Sequence, residues 1–321
     1  MTDIPHPTSV GTTGAESVRY ATPMQEGVLE LESDGTNIDL GVSGAQFAKE
    51  KRGKLGPTFW FCVGWICVNA FIALFAPVLP LQDPNYHDFL NFNANPSAAH
   101  WFGTDSTGTD LFSQVMWGLR NSIFIGLSTM ILAYAIGATL GMFAAYRRGR
   151  LDTTSSAGMF VFQAFPGLVL IIAITQFWAP ITPVKLIISI AFVAVPLVFR
   201  VIRASTISAA TREYIISAKM QGARDSRILA RELLPNIFPT ALSFFLIGIA
   251  LVIALEGALS FLGLSVPNTI SLGSLINQAS ETPGNFWLMF FPTVALCMFL
   301  LTLNFVGDRL RSYFDVTEVK L

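Results

Sequence analysis

The stretch NSIFIGLSTMILAYAIGATLGMFAAY, residues 121–146, contains no charged side chain and is bounded by Arg120 and Arg147. A helix needs about 20 apolar residues to cross the hydrocarbon core of a bilayer, and this stretch is longer than that. It also carries small residues at intervals of four, a pattern that favours close helix packing in lipid: Ala133, Gly137, Gly141 and Ala145. The stretch therefore predicts a transmembrane helix with a packing face.

The composition of the whole 321-residue chain agrees with this prediction. Hydrophobic residues make up 52% of it and charged residues 13%, about half the charged share of a globular protein. A soluble domain could not bury so much apolar surface, so we expect an integral membrane protein. The net charge of −1 lacks the basic surplus of a nucleic-acid binder. The three cysteines lie inside apolar runs, which excludes a disulfide framework or a zinc cluster.

Runs with few or no charges occur six times and predict six transmembrane helices, an all-α polytopic fold. Pro180 and Pro183 divide one uncharged run of 32 residues, so the third span ends and the fourth begins there. The predicted spans are residues 58–81, 121–146, 153–178, 183–202, 237–262 and 286–307.

The distribution of Lys and Arg predicts the orientation. Of the 20 such residues, 18 lie in segments that would share one side of the membrane: 1–57, 147–152, 200–236 and 308–321. The segments on the other side hold only Arg120 and Lys185. Because short loops rich in positive charge remain in the cytoplasm, we expect both termini to be cytoplasmic.

The polar character changes along the chain and divides it into five parts. The first is acidic and aperiodic, which predicts a disordered cytoplasmic tail, and the second is a basic collar suited to anionic lipid. A first transmembrane helix with an extracytoplasmic segment follows, then a core of five transmembrane helices that includes a cytoplasmic loop at 203–236, and finally a cytoplasmic C-terminal tail. The corresponding ranges are 1–48, 49–57, 58–118, 119–310 and 311–321.

Glu256 is the one charge deep within a predicted span, where its burial costs about 2.5–3.5 kcal/mol. Two interpretations stay open for it: a polar contact in a translocation pathway or its outer gate, or a structural hydrogen bond to a neighbouring helix or loop. Pro166 and Pro196 lie within the third and fourth spans, where each removes a backbone hydrogen bond. A resulting kink could widen a pathway or simply bend the helix.

The sequence contains no recognisable catalytic apparatus. The three histidines, His6, His87 and His100, lie outside the spans, and neither an H-E-x-x-H nor a G-x-S-x-G motif occurs. Gly53-Lys54 is followed by Leu55, so there is no Walker A loop. We therefore expect a chain that is not an enzyme and binds no cofactor, and any dependence on ATP must come from a partner.

The loop at 203–236 predicts two short helices separated by a break at Gly222, which can adopt a left-handed turn. The residues expected to begin and end these helices are Thr211, Gly222, Asp225 or Ser226, and Pro235. Such a helix can dock into a groove of another protein or lie as a connector on lipid. If it docks, we expect the apolar contact to come from Tyr214, Ile215, Ala218 and Met220. Arg212 and Lys219 would lie at the rim of this contact.

This loop resembles the EAA loop of ABC importer permeases. Ala218, Gly222, Leu234 and Pro235 fit the spacing of that motif, although Ile216-Ser217 and Glu232 replace its usual Glu-Ala pair and its usual Ile. The peptide-permease variant fits better, since it has Glu-Tyr about nine residues before the Gly and ends in Leu-Pro-Asn, as Glu213-Tyr214 and Leu234-Pro235-Asn236 do here.

Other segments strengthen the resemblance, which covers about residues 57–315. His100-Trp-Phe-Gly103-Thr104-Asp105-Ser-Thr-Gly108-Thr109-Asp110 is similar to the signature of the C-type subunit of dipeptide and oligopeptide permeases, with Thr109 replacing the usual Arg. Capping of a surface helix by Thr104 or Asp105 is the role we expect there, with ligand contact as the alternative. Three further runs fit the family: 256–264, 271–275 and 304–311.

The resemblance implies a type I ABC importer permease in the bacterial inner (plasma) membrane. It implies four partners: a B-type permease subunit, two ABC ATPases that bind ATP and Mg, and an extracytoplasmic peptide-binding protein. The residues implied to couple the permease to an ATPase are Arg212, Glu213, Tyr214, Ala218, Lys219, Met220, Gly222, Leu234 and Pro235. The implied extracytoplasmic signature is Gly103, Thr104, Asp105 and Asp110. The alternatives are another solute carried by the same family, such as a nickel chelate, haem or a sugar, and an ion-coupled secondary transporter.

Overall fold

The computed structural model of the protein describes residues 56–318 except positions 84, 85, 89, 179 and 283, and it describes no side chain beyond 314. The predicted acidic tail at 1–48 and nearly all of the basic collar at 49–57 lie outside this part. The described residues form these helices: α1 Pro57–Phe75, α2 Leu111–Arg147, α3 Arg150–Gln163, α4 Gly167–Phe177, α5 Pro183–Ala210, α6 Glu213–Met220, α7 Asp225–Phe261, α8 Leu272–Ser280 and α9 Phe286–Glu318.

Local capping explains where several helices begin. The Asp110 carboxylate accepts a hydrogen bond from the Ser113 backbone N–H (2.9 Å) at the start of α2. Thr182 does the same for α5, which also has Pro183 in its first turn. At α8, Ser271 and Ser274 form a reciprocal capping box. Each arrangement satisfies backbone donors that have no partner within the helix.

Five of these helices, α1, α2, α5, α7 and α9, are each long and apolar enough to span a membrane. Several exceed the predicted bounds: α2 begins at Leu111, α5 continues to Ala210 and α7 begins at Asp225. Hydropathy identifies only the run without charges, whereas the hydrogen bonds of a helix continue into water through charged residues. In contrast, α1 ends at Phe75, before the predicted limit of 81.

The third predicted span, 153–178, is not a single helix. It is divided into α3 and α4, which meet at an angle of 84°. Pro166 stands at the N-cap of α4, and a proline disfavours helical geometry in the residue before it. Pro166 therefore marks a break rather than a kink, while α5 continues through the buried Pro196.

The small-residue stripe of α2 packs against α5, as predicted. A Cβ atom on Gly137 would come within 2.8 Å of the Val195 carbonyl oxygen, and one on Gly141 within 2.7 Å of the Phe199 carbonyl oxygen. Gly137 meets Val195, and Gly141, four residues later, meets Phe199, also four residues later. Because the contact advances along both helices in the same sense, α2 and α5 run in the same direction. The chain must return between them, and only α3 and α4 are available to bring it back. The bent pair therefore acts as a sixth crossing.

The other long helices alternate in direction. α7 runs opposite to α2, since Ser122 bonds to Glu256 while the Tyr134 hydroxyl donates to the Ala241 carbonyl (2.8 Å). The first turns of α1 contact Val306 near the end of α9. The start of α1, the ends of α2, α5 and α9, and the start of α7 thus share one end of the bundle. We call it the basic end, defined by residues 147–152 and 211–227, and we call the opposite one the loop end, defined by 76–110, 178–182 and 262–285.

Candidate functional site at the basic end

Helix α6 lies at the basic end with one side turned inward and the other exposed. Ile215 is completely buried, whereas Tyr214, Ile216 and Met220 are 37%, 48% and 78% exposed. The prediction that Ile215 belongs to the exposed apolar surface is therefore wrong, because helical periodicity turns this residue toward α5 and α7. Ile216 takes its place on the exposed side, and Ala218 is half-buried.

The end of α6 confirms the predicted left-handed turn. Gly222 has a φ of +78°. Its backbone N–H donates to the Lys219 carbonyl (3.0 Å), and that of Ala223 donates to the Ala218 carbonyl (3.1 Å). These two bonds form a Schellman motif. The motif gives a physical reason for the spacing between Ala218 and Gly222, since both residues take part in the same helix stop.

The predicted N-caps of the two loop helices are wrong. Thr211 ends α5 instead of beginning α6, and its hydroxyl donates to the Ser208 carbonyl (2.9 Å). Arg212 stands at the N-cap of α6 without a side-chain capping bond. Arg224, not Asp225 or Ser226, has this position before α7. The Asp225 carboxylate is used in tertiary contacts.

Pro235 does not end the second helix as predicted, because α7 continues from Asp225 to Phe261. The residues just before it, Ile228–Leu233, form a π-helical segment, and the Leu234 N–H bonds to the Leu229 carbonyl. This wider turn resets the hydrogen-bond register, so Pro235 falls in the first turn of the following α-helical part, where its missing N–H is tolerated. Leu234 and Pro235 are both exposed.

Tyr146, in the last turn of α2, joins this loop to the bundle. Its hydroxyl donates to Asp225 Oδ1 (3.0 Å), and Lys219 Nζ lies 4.6 Å from the centre of its ring. Arg147 adds an ion pair to Asp225 Oδ2 (3.6 Å). One residue of α2 thus contacts both α6 and α7. The sequence contained no signal for it, because its partners are more than 70 positions away.

A second tertiary contact that the sequence did not reveal joins α3 to α5. Arg203 donates from Nε to Asp152 Oδ1 (2.6 Å) and from Nη2 to Asp152 Oδ2 (2.8 Å). Such a bidentate pair fixes geometry as well as charge. It holds the first part of the bent pair against α5.

At the loop end, the predicted signature residues build a folded loop. Thr104 is fully buried. Its hydroxyl donates to the Asn91 carbonyl (2.5 Å) and accepts from the Ala94 N–H (2.8 Å). Gly103 has a φ of +80°, a conformation that glycine adopts without strain. These contacts position the loop and leave little of Gly103 or Thr104 exposed to a ligand.

The aspartates of the signature have separate structural roles. Asp105 Oδ1 accepts hydrogen bonds from the backbone N–H groups of Thr107 and Thr109, and Asp105 Oδ2 accepts one from Gln114 Nε2. Asp110 caps α2, so the expectation that Thr104 or Asp105 caps a helix there is wrong in position by several residues. The sequence did not identify Asp110 as the cap, because the predicted helix began at residue 121 and α2 begins at Leu111.

Glu256 is 1% exposed and lies at the contact of three helices. Its carboxyl oxygens accept hydrogen bonds from Ser122 of α2 (2.9 Å) and from Ser260 of α7 (2.8 Å). The start of α8 packs close by, since a Cβ atom on Gly273 would come within 2.7 Å of Gly257 Cα. This arrangement supports the structural interpretation of Glu256. The other pathway candidates lie on other helices: Pro166 is the N-cap of α4, and Pro196 is buried inside α5.

Comparison with known proteins gives consistent results. Residues 137–316 match the family described as binding-protein-dependent transport system inner membrane component. The glutathione transport system permease protein GsiD of Pectobacterium atrosepticum is 34% identical over 240 residues, which are 74% of this chain and 79% of that protein. The dipeptide transport system permease protein DppC of Alkalihalophilus pseudofirmus is 33% identical over 273 residues, 84% of this chain and 88% of that protein. A putative peptide transport system permease protein of Brucella suis is 34% identical over 252 residues, 78% and 84% of the two chains.

Among solved structures, an inward-facing conformation of the MetNI methionine ABC transporter is similar in fold. The TM-score is 0.55 with 19% sequence identity, and the match covers 63% of this chain and 97% of that chain. The described helices therefore share the fold of the matched chain of this ABC transporter.

Proposed function

This chain belongs to the family of binding-protein-dependent transport system inner membrane components, and on that premise we propose that it is a permease subunit of an ABC importer for peptides. The relatives named above are permeases of glutathione, dipeptide and peptide transport systems, which supports peptides as the solute. The chain itself carries out no covalent chemistry. Two partner ATPases bind ATP and Mg, a B-type permease subunit completes the pathway, and an extracytoplasmic peptide-binding protein delivers the substrate.

The observation that carries the coupling role is the geometry of α6. The burial of Ile215 fixes one face of this short helix, and the Schellman motif at Gly222 fixes its C-terminal end. Tyr214, Ile216 and Met220 project outward. An apolar edge on a fixed short helix suits insertion into a groove of another protein. Arg212, Glu213 and Lys219 place charges around this edge.

Motion of α6 would reach the membrane helices through Tyr146. Lys219 lies over the ring of Tyr146, and the hydroxyl of that residue bonds to Asp225 at the start of α7. A displacement of α6 is therefore transmitted to the ends of α2 and α7 together. ATP binding closes the ATPase pair and opens the pathway outward, and hydrolysis resets it, so that two sites are coupled through one assembly with two states.

The test is a crosslinking experiment with the tagged chain in its native membrane. Ser217→Cys places a thiol on the exposed side of α6, and Ser106→Cys, at the loop end, is the matched control. We expect a short bismaleimide to join the α6 variant, and not the control, to a protein that hydrolyses ATP. The complex purified through the tag should then take up a labelled dipeptide into proteoliposomes only with ATP. Capture of an ATPase by neither variant, or uptake without ATP, would contradict the proposal.

A further inference from the structure

One face of α9 is exposed along most of the membrane-spanning part of the helix. The large apolar side chains exposed there recur every three or four residues, the spacing of a single helix face: Phe286, Phe290, Val294, Met298 and Leu301. The sequence carries no charge from residue 282 to residue 307. A face of this kind, on a helix long and apolar enough to span a membrane, is suited to contact with acyl chains. We call these five residues the lipid stripe.

A row of aromatic rings joins the lipid stripe to the loop before α2. Phe290 contacts Phe291 with 5.5 Å between ring centroids, and Phe291 stacks on Phe102 of the loop at 4.0 Å, with 3° between the ring planes. Phe102 and Trp101 each contact Phe112, the second residue of α2, at 5.1 Å. The loop is therefore attached where two membrane-spanning helices begin.

The two ends of this aromatic row are exposed. Trp101 is 65% exposed, although its ring contacts Phe112. At the other end, Phe286 contacts Phe290 at 5.1 Å and is 72% exposed. Packing within the chain explains the middle of the row but not these outer rings. Contiguous exposed apolar surface marks a contact with a membrane or with another protein.

Two markers give the depth of the row relative to the membrane. The roughly 20 residues needed to cross the hydrocarbon core begin at Leu288 when they are counted back from Asp308, the first charge at the other end of α9. The second marker is Arg120, whose Nε donates to a carbonyl in the last turn of α1 (2.9 Å). Phe112 lies eight residues before Arg120, about 12 Å further out along α2. Trp101, beside Phe112, therefore lies at the edge of the hydrocarbon core or just outside it, at the level of the headgroups.

We propose that Trp101 anchors the loop before α2 in the lipid interface at the loop end of the bundle. Tryptophan suits this depth because its ring is largely apolar while its indole N–H can bond to water or a headgroup. The lipid stripe continues into the aromatic row, so the surface that contacts acyl chains on α9 extends to the loop, which favours lipid over a partner protein. The anchor holds the folded loop around Thr104 at a fixed height above the membrane, whichever solute the permease carries.

The test measures the fluorescence of Trp101 in the purified complex reconstituted into phosphatidylcholine nanodiscs. The signal of Trp101 is the difference between the wild-type complex and Trp101→Phe, a variant that keeps an aromatic ring against Phe112. The lipid is either unmodified or brominated on the acyl chain close to the headgroup. We expect the brominated lipid to remove more of the Trp101 signal than iodide dissolved in the water does.

Ser106→Trp, introduced together with Trp101→Phe, is the matched control. It places a tryptophan at an exposed position of the same loop, outside the aromatic row. We expect the signal of this tryptophan to be lost to iodide and to change little in the brominated lipid.

Three results would overturn the inference. Quenching of Trp101 by iodide alone would place its ring in water. Protection from both quenchers in the complex, with quenching by brominated lipid in the isolated full chain, would assign the surface to the partner permease subunit. Protection from iodide that arises only when the binding protein is added would assign it to that protein. None of these readouts requires transport, so a failure of the proposed function would not be mistaken for a failure of this inference.

Discussion

Glu256 shows how a buried acid can be used to hold helices together. Its two oxygens accept hydrogen bonds from Ser122 of α2 and Ser260 of α7. A buried polar group is stable only when its hydrogen bonds are satisfied, and here the hydroxyl groups of two helices satisfy it. The sequence predicted a polar contact at this position but not its partner on the neighbouring helix, because Ser122 approaches Glu256 only in the folded bundle.

Replacement of Glu256 tests this structural role. In Glu256→Gln, one carboxyl oxygen becomes an amide that cannot accept, so one hydroxyl loses its acceptor. We expect the free energy of unfolding to fall by about 1–3 kcal/mol, measured as a lower Tm of the detergent-purified protein, while uptake per folded molecule is retained. Glu256→Lys places an unpaired cation in the same site and should greatly reduce the amount of protein in the membrane.

The double variant Glu256→Gln/Ser122→Ala is the control for this interpretation. Residues that share a hydrogen bond are not independent, so the two losses should be less than additive. Reduced uptake by Glu256→Gln at an unchanged Tm would instead favour a direct role in the pathway or its gate.

At the scale of elements, the two ends of α6 differ in how well the sequence predicted them. Gly222 was recognisable as a stop because glycine readily adopts the left-handed conformation. Thr211 was misassigned as a cap, because α5 continues eight residues past its last predicted position and uses Thr211 as its own end. Residue type alone does not say which of two adjoining helices a capping side chain serves.

The membrane-spanning helices likewise include one feature that the sequence predicted and one that it did not. The stripe containing Gly137 and Gly141 predicted a close helix contact, and α5 forms it. The break at Pro166 was not predicted, since Pro196 sits in a comparable apolar run without interrupting α5. The two prolines differ in the residue that follows them, because Pro166 precedes Gly167 and Pro-Gly is a turn signal, whereas Pro196 precedes Leu197. The Arg203–Asp152 pair that joins α3 to α5 could not be predicted, because no local pattern encodes a contact between residues so far apart.

Substitution of Gly222 tests the helix stop of α6. No atom lies within 4 Å of a Cβ placed on Gly222, so space is not limiting, but φ is +78°. Gly222→Val forces a β-branched residue into a left-handed conformation, which costs about 1–2 kcal/mol, and should lower ATP-driven uptake about fivefold or more at equal membrane abundance. Gly222→Asn is the matched control, because Asn tolerates this conformation, and its uptake should stay close to that of the wild type. Equal uptake by the Val variant would show that the turn is not needed for coupling.

At the scale of the whole molecule, helix directions determine the number of crossings. α2 and α5 run parallel to each other, whereas α2 and α7 run antiparallel. The chain can enter α5 from the loop end only if α3 and α4 together cross the bundle. Hydropathy could not decide this, because neither half is long enough by itself and the two meet at 84°. Six crossings place the start of α1 and the end of α9 on the same side.

Thiol labelling tests this topology. In a background with Cys62, Cys67 and Cys297 replaced by Ala, single cysteines are introduced at Arg150 and Ser226 of the basic end and at Ser106 and Glu281 of the loop end, all of them exposed. We expect a membrane-impermeant maleimide to label only the loop-end pair in intact spheroplasts and the basic-end pair only after permeabilisation, because the basic end carries the positive charge that remains in the cytoplasm. If only one of the Arg150 and Ser226 positions were labelled in intact spheroplasts, the two would lie on opposite sides of the membrane. In that case α3 and α4 would return to the side where they began, leaving five crossings. Labelling of both from outside would place α6 beyond the reach of any cytoplasmic ATPase.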